Sequence, residues 1–144
     1  MSKIIFLMLL VLTLLFASHC SKSPSPRVVV MDFIEAVNKA DTASIEKYLD
    51  LDRFTREKIK DLSEAERQEI FPKVKEQLKN NFLGSGATRL RWQSKMIVVN
   101  KEDIQGDSAL VEVTFVDQKT SITEYHKAKL YKKERNWLIY YIGD

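Results

Sequence analysis

Cysteine is almost missing from this 144-residue chain: Cys20 stands alone, so no intramolecular disulfide can staple the fold. Histidine is nearly as scarce, at His19 and His126. The usual nitrogen and sulfur ligands are too few for a metal site, and neither a metal nor another cofactor is expected. Glycine occurs four times. No Gly-x-Ser-x-Gly elbow is present to present a nucleophilic serine. Gly84-Ser85-Gly86 is too short for a phosphate loop and follows a helical pattern rather than a strand. An excess of one charge is lacking as well. The net charge is +3, and one of the surplus cations, Lys3, belongs to the N-terminal segment. A nucleic-acid binder would show a concentrated basic face, so no nucleic-acid partner is expected. There is no internal repeat, and low-complexity sequence is confined to the Ser/Pro stretch after Cys20.

One long apolar run is present, and it comes first. Lys3 gives a basic start, Ile4 to Phe16 is apolar apart from Thr13, and Ala17, Ser18, His19 and Cys20 follow. A basic start, an apolar stretch of about 7–15 residues and then small residues define a secretory signal. A membrane-spanning helix needs about 20 apolar residues, and this run is shorter. Residues 1–19 are therefore read as a signal peptide.

Cys20, immediately after the apolar run, resembles the lipobox cysteine of bacterial lipoproteins. Such a cysteine is lipidated on sulfur and becomes the first residue of the mature chain. Ala17-Ser18-His19-Cys20 departs from the usual aliphatic-small-small-Cys pattern, because His19 is larger and Ala17 smaller than usual. The alternative is ordinary cleavage after Ala17 or Ser18, giving a soluble periplasmic or secreted protein with a free thiol. Ser21-Lys22-Ser23-Pro24-Ser25-Pro26 reads as an exposed, extended tether, so residues 20–26 are assigned as lipidated cysteine and tether. Serine after the cysteine is compatible with outer-membrane sorting of a lipoprotein. The expectation is a cell-envelope protein anchored to the membrane by lipid at Cys20.

Residues 27–144 suit a single domain, with aromatic residues along its whole length. Its first half is helical. Val29, Val30, Phe33, Ile34 and Val37 form one stripe of an amphipathic helix from Pro26 to about Ala40. Asp41 is an N-cap for a short second helix carrying Ile45, Tyr48 and Leu49. Residues 51–59 read as an irregular apolar stretch. Ser63-Glu64-Ala65-Glu66 is a capping box, opening a helix through Phe82 that stops at Gly84, with Pro72 inside it as a kink or the start of a second segment. The period then changes to two. Strands are expected at about 91–102, 109–116, 122–132 and 137–142, with turns at Gly106-Asp107, Asp117–Lys119 and Glu134–Asn136. Short connections imply an antiparallel meander, and helices followed by strands imply an α+β fold with the helices on one face of a four-stranded sheet.

Two stretches resemble the nuclear transport factor 2-like (cystatin-like, ketosteroid-isomerase-like) superfamily. One is the opening helix, Phe33-Ile34-Glu35-Ala36-Val37-Asn38-Lys39-Ala40-Asp41 with Tyr48-Leu49 behind it. The other is the closing hairpin, Ala128 to Ile139, with Trp137 after its turn. The nearest branch is the set of small bacterial lipoproteins and secreted proteins of unknown function. The resemblance implies a curved antiparallel sheet wrapped around N-terminal helices as a cone with an apolar cavity. Fold alone does not give function.

Period two places Ile122, Glu124 and His126 on the face of Ala128 and Leu130, the face expected to hold Trp137. Glu124, His126 and Trp137 are thus the candidate pocket residues. A buried histidine there could serve as a general base or ligand contact, whereas an exposed strand end would leave it solvated; no catalytic set is assigned. Tyr125, Lys127, Lys129 and Tyr131 fall on the outer face, with Arg89, Arg91 and Lys95 expected nearby in the sheet. The leading expectation is a non-enzymatic envelope domain that binds a small apolar ligand or a protein partner. A small isomerase- or hydrolase-like cavity enzyme and a structural module that forms homodimers are the alternatives.

Overall fold

Ser25 starts the first helix. Its hydroxyl accepts from the Val28 amide and Pro26 occupies the first turn, where a missing N–H costs nothing. The computed structural model describes residues 23–83 and 86–143. The signal peptide, Cys20, the first part of the tether and the Gly84 terminator lie outside the described residues. No described helix is long and apolar enough to cross a membrane.

Helix α1 (Pro26–Lys39) buries Val29, Val30, Phe33, Ile34, Ala36 and Val37. It ends at Ala40, whose φ of 55° is left-handed, a conformation that costs an L-residue about 1–2 kcal/mol. Asp41 then caps α2 (Thr42–Tyr48), accepting from the Ser44 amide at 3.2 Å. The expected irregular stretch is instead a third helix. Asp50 accepts from the Arg53 amide at 2.9 Å and opens α3 (Leu51–Lys58). Its buried residues are Phe54 and Thr55, and the Thr55 hydroxyl donates to the Leu51 carbonyl. Eight residues with two adjacent buried positions are too short to show a 3.6 period.

Ser63 and Glu66 form the reciprocal capping box at the start of α4 (Glu64–Phe82). Pro72 lies within this helix without dividing it. A fifth helix, α5 (Ala87–Gln93), replaces the expected start of the first strand. Gly86 at its head passes so close to α4 that an added Cβ would sit 2.1 Å from the Asn80 carbonyl oxygen, so only glycine fits.

The strands β1 (Lys95–Gln105), β2 (Ser108–Asp117), β3 (Thr123–Lys133) and β4 (Asn136–Gly143) form one antiparallel sheet in sequence order. The fold is α+β, with a four-stranded meander as the residue pattern predicts. Gly106 supplies the positive φ, 60°, of the first hairpin, and Glu134 takes the same region at 57° in the last one. Irregularities at Val99–Lys101 and at Lys129–Leu130 interrupt the register; bulges of this kind bend a strand and increase its twist.

Helices and inner sheet face share one core. Phe33 packs edge-on against Phe82 at 5.4 Å, Phe54 packs likewise at 5.8 Å, and Trp92 stacks on Phe115 at 5.0 Å. Val111, Val113, Phe115, Ala128, Leu130 and Ile139 face them from the sheet, fully or almost fully buried. One exposed edge is partly covered: Leu49 makes a parallel bridge to Ile139, and the Asp50 amide donates to the Ile139 carbonyl at 2.9 Å.

Candidate functional site

On β3, alternate residues Glu124, His126, Ala128 and Leu130 share a face. Ala128 and Leu130 are fully buried, His126 is buried at the mouth of the core and Glu124 is half-buried. Ile122 lies just before the strand and is 61% exposed. The last β3–β4 pair is Lys127 with Gly143, so His126 is the first residue of β3 past the end of β4. A cavity of about 220 Å³ opens there. Phe54 and Lys58 of α3 line it, with Leu78, Asn81 and Phe82 of α4, Thr88, Arg91 and Trp92 of α5, and Ile142 and Gly143 of β4 beside His126.

Trp137 is not part of this pocket, although the sequence groups it with Glu124 and His126. It pairs with Lys132, six residues along β3 from His126, or roughly 20 Å at about 3.3 Å per residue. It lines a separate hollow of about 210 Å³ with Pro24, Val29, Tyr48 and Leu138. Sharing a sheet face does not put two residues in one cavity when they sit at opposite ends of the strand.

The mouth of the core is electrically organised around Glu124. Lys95, with only 7% of its side chain exposed, donates to Glu124 Oε1. Arg91 Nε lies 3.6 Å and His126 Nε2 3.5 Å from Glu124 Oε2. The His126 ring meets Phe115 edge-on at 5.1 Å. Bonding to Lys95 holds the Glu124 carboxyl below its ordinary range; His126 and Arg91 add to this, against the opposing effect of burial. An ionised, ion-paired carboxylate has no proton to give, and a depressed pKa makes it a weak general base. Ketosteroid-isomerase-type chemistry needs the reverse, a carboxylic acid kept protonated in an apolar site.

The spacing of Thr88, Arg91 and Trp92, at i, i+3 and i+4, is the helical signal that would have revealed α5 and its role in the cavity. With 91–102 read as a strand, it was hidden. Arg89 and Arg91 belong to α5 rather than to the outer sheet surface, and the Arg89 guanidinium donates to the Asn38 carbonyl. On that outer face Tyr125 is 70% exposed. Lys129 is engaged by Glu57 at 2.7 Å, and Tyr131 donates to Asp50. Arg53 lies 4.2 Å from the Tyr131 ring and 4.1 Å from the Tyr140 ring. Helix α3 therefore covers half of the basic, aromatic surface expected there.

A larger groove of about 910 Å³ runs between α2, α3, α4 and β4. Its walls mix apolar residues such as Leu49, Leu51 and Leu138 with Asp50, Glu76 and Lys79, and Lys75 bridges to Asp52 at 2.7 Å. Among the described residues no group of three His, Cys, Asp or Glu side chains could hold a metal ion.

No family model matches the chain, and no curated protein matches it. The structure is similar to a crystal structure from Campylobacter jejuni, of a protein provisionally named an NTF2-like transpeptidase. The two chains are 23% identical, with a TM-score of 0.50 over 81% of this chain and 97% of the other. At that identity the likeness concerns the fold alone.

Proposed function

We propose, from an NTF2-like fold as the premise, that the chain is a lipid-anchored bacterial envelope domain that binds a small ligand at the mouth of its core and does not catalyse a reaction. The observation that carries this reading is the cavity beside His126: it joins an apolar wall of Phe54, Leu78, Phe82, Trp92 and Ile142 to a polar side, and the carboxylate beside it, Glu124, is paired with Lys95 and Arg91. Concave, mostly apolar sites with a few convergent polar groups are the usual form of small-ligand pockets. The envelope location rests on the apolar run from Ile4 to Phe16 followed by Cys20, and outer-membrane sorting on Ser21.

The name of the Campylobacter protein raises acyl transfer as a second activity. Transpeptidation through a covalent intermediate needs a serine or cysteine nucleophile activated by a base. Among the described residues, the cavity beside His126, the Trp137 hollow and the larger groove have no serine or cysteine in their lining, which favours binding over transfer.

Two measurements test the reading. Labelling of cells with a fatty-acid analogue is expected to mark the chain and to vanish in Cys20→Ala; undiminished labelling in the variant removes the anchor. Native mass spectrometry of the chain released from envelope extract is expected to show a small bound mass, and a clean apo mass with no bound molecule removes the ligand role.

A further inference from the structure

The polar groups around the His126 cavity are lopsided in kind. Lys58 and Arg91 are cationic, Thr88 and Asn81 offer donors, and none of the described acidic residues lines the space. Glu124 stands behind this lining, where Lys95, Arg91 and His126 already share its charge. Among the described residues, Lys58, Arg91 and Lys95 stand around this mouth against one carboxylate, Glu124, an excess of positive charge. An independent feature points the same way. Trp92 lines the cavity, is 2% exposed, and its Nε1–H meets no acceptor among the described residues. A buried donor left unpaired costs about 1–3 kcal/mol, and a ligand acceptor would relieve that cost. The remaining wall, Phe54, Phe82, Leu78 and Ile142, is apolar.

Building on the ligand-binding reading above, we infer that this cavity takes a small organic anion: a carboxylate held by the donors of α5 and the Lys58 side, with an apolar body against Trp92, Phe54 and Phe82. The volume fits such a molecule. An apolar cavity of roughly 150 Å³ suffices for a benzene ring, and about 220 Å³ leaves room for a carboxylate head. A neutral apolar ligand of the same shape would occupy the wall but leave the indole N–H and the cations without an acceptor. The anion is therefore preferred over the uncharged apolar ligand that the sequence suggested.

The test uses the full chain in dodecylmaltoside micelles, labelled with nitrogen-15 at tryptophan. The protein has two tryptophans, and Trp137, in its separate hollow, serves as the internal control. Sodium benzoate is expected to shift the Trp92 indole signal saturably while the Trp137 signal stays in place. Benzyl alcohol, of nearly the same shape but uncharged, is expected to bind at least about tenfold more weakly. Arg91→Gln and Lys58→Gln are each expected to weaken benzoate several-fold, with the unliganded Trp137 signal unchanged as the sign of an intact fold. Benzyl alcohol binding as tightly as benzoate, or benzoate affinity unaltered in both variants, overturns the anion preference and leaves a cavity that binds without charge selection. No saturable Trp92 shift with either compound also overturns it. The native mass of the envelope-extracted chain then decides the broader reading on its own: a bound neutral mass keeps the ligand role, and an apo mass removes it.

Discussion

A lysine as buried as Lys95 needs a carboxylate, because an unpaired ammonium out of water is costly. Glu124 answers that need across the sheet, and the pair is the firmest electrostatic feature of the mouth of the core. Glu124→Gln is expected to lower stability at neutral pH by about 1–3 kcal/mol, since it leaves a buried charge without its partner. The folded-state pKa of Glu124 lies below its ordinary 4.5. Its contribution is thus fully present above that pH and is lost as the pH falls through the depressed value. The stability gap between the variant and the parent should accordingly close on acidification below about pH 4.5, which urea titrations at several pH values would follow. A gap of constant size from pH 7 to pH 3 would assign the loss to packing. Glu124 and His126 were legible in the sequence because strand alternation is strict. Their partners Arg91 and Lys95 were not: they flank the junction of a seven-residue helix and a strand, where neither period is established.

Helix starts were more legible than helix bodies. Pro26 opens the first helix, and Asp41 and Ser63 each bond the backbone, as their residue type and position suggest, because a helix start is a local arrangement of about four residues. Helices α3 and α5, with eight and seven residues, escaped because they owe their form to what they cover. Phe54 is fixed by Phe82 and Tyr141, and Trp92 by Phe115, partners that are distant in the chain. The capping box gives a quantitative expectation. Ser63→Ala removes the acceptor for the Glu66 amide and should cost about 1 kcal/mol, seen as a fall of roughly 4 °C in Tm. No change in Tm would mean that the first turns of α4 are frayed before the molecule melts.

The molecule as a whole is tied together by rings that belong to different elements. Phe33 comes from α1, Phe54 from α3, Phe82 from α4, Trp92 from α5 and Phe115 from β2, and their contacts join every helix except α2 to the sheet. Phe115→Ala removes the ring through which the sheet joins this set, by its stack on Trp92, and is expected to cost about 3–5 kcal/mol. Loss of helix and sheet signals should remain a single transition, and separate melting of the two would show that the rings do not couple them. This layer was only partly legible. The sheet order follows from short turns, and the helix stripe from periodicity, but which ring meets which is decided by packing in three dimensions.

The bridge from Leu49 to Ile139 reaches beyond local stability. A sheet has two edges, and either can template another strand. Here one edge is occupied by the chain's own residues 49 and 50, with α3 following directly. Among the described elements β1 is left as the edge with no such cover, while β4 is interrupted at Ile139. A molecule with one adhesive side can join another of its kind once, edge to edge, and the growth stops there. It takes two such sides to string molecules into a fibre. Under the lipid-anchored reading proposed above, which would crowd copies of the chain on one surface, hindering one side turns an open-ended polymerisation hazard toward a terminated pair.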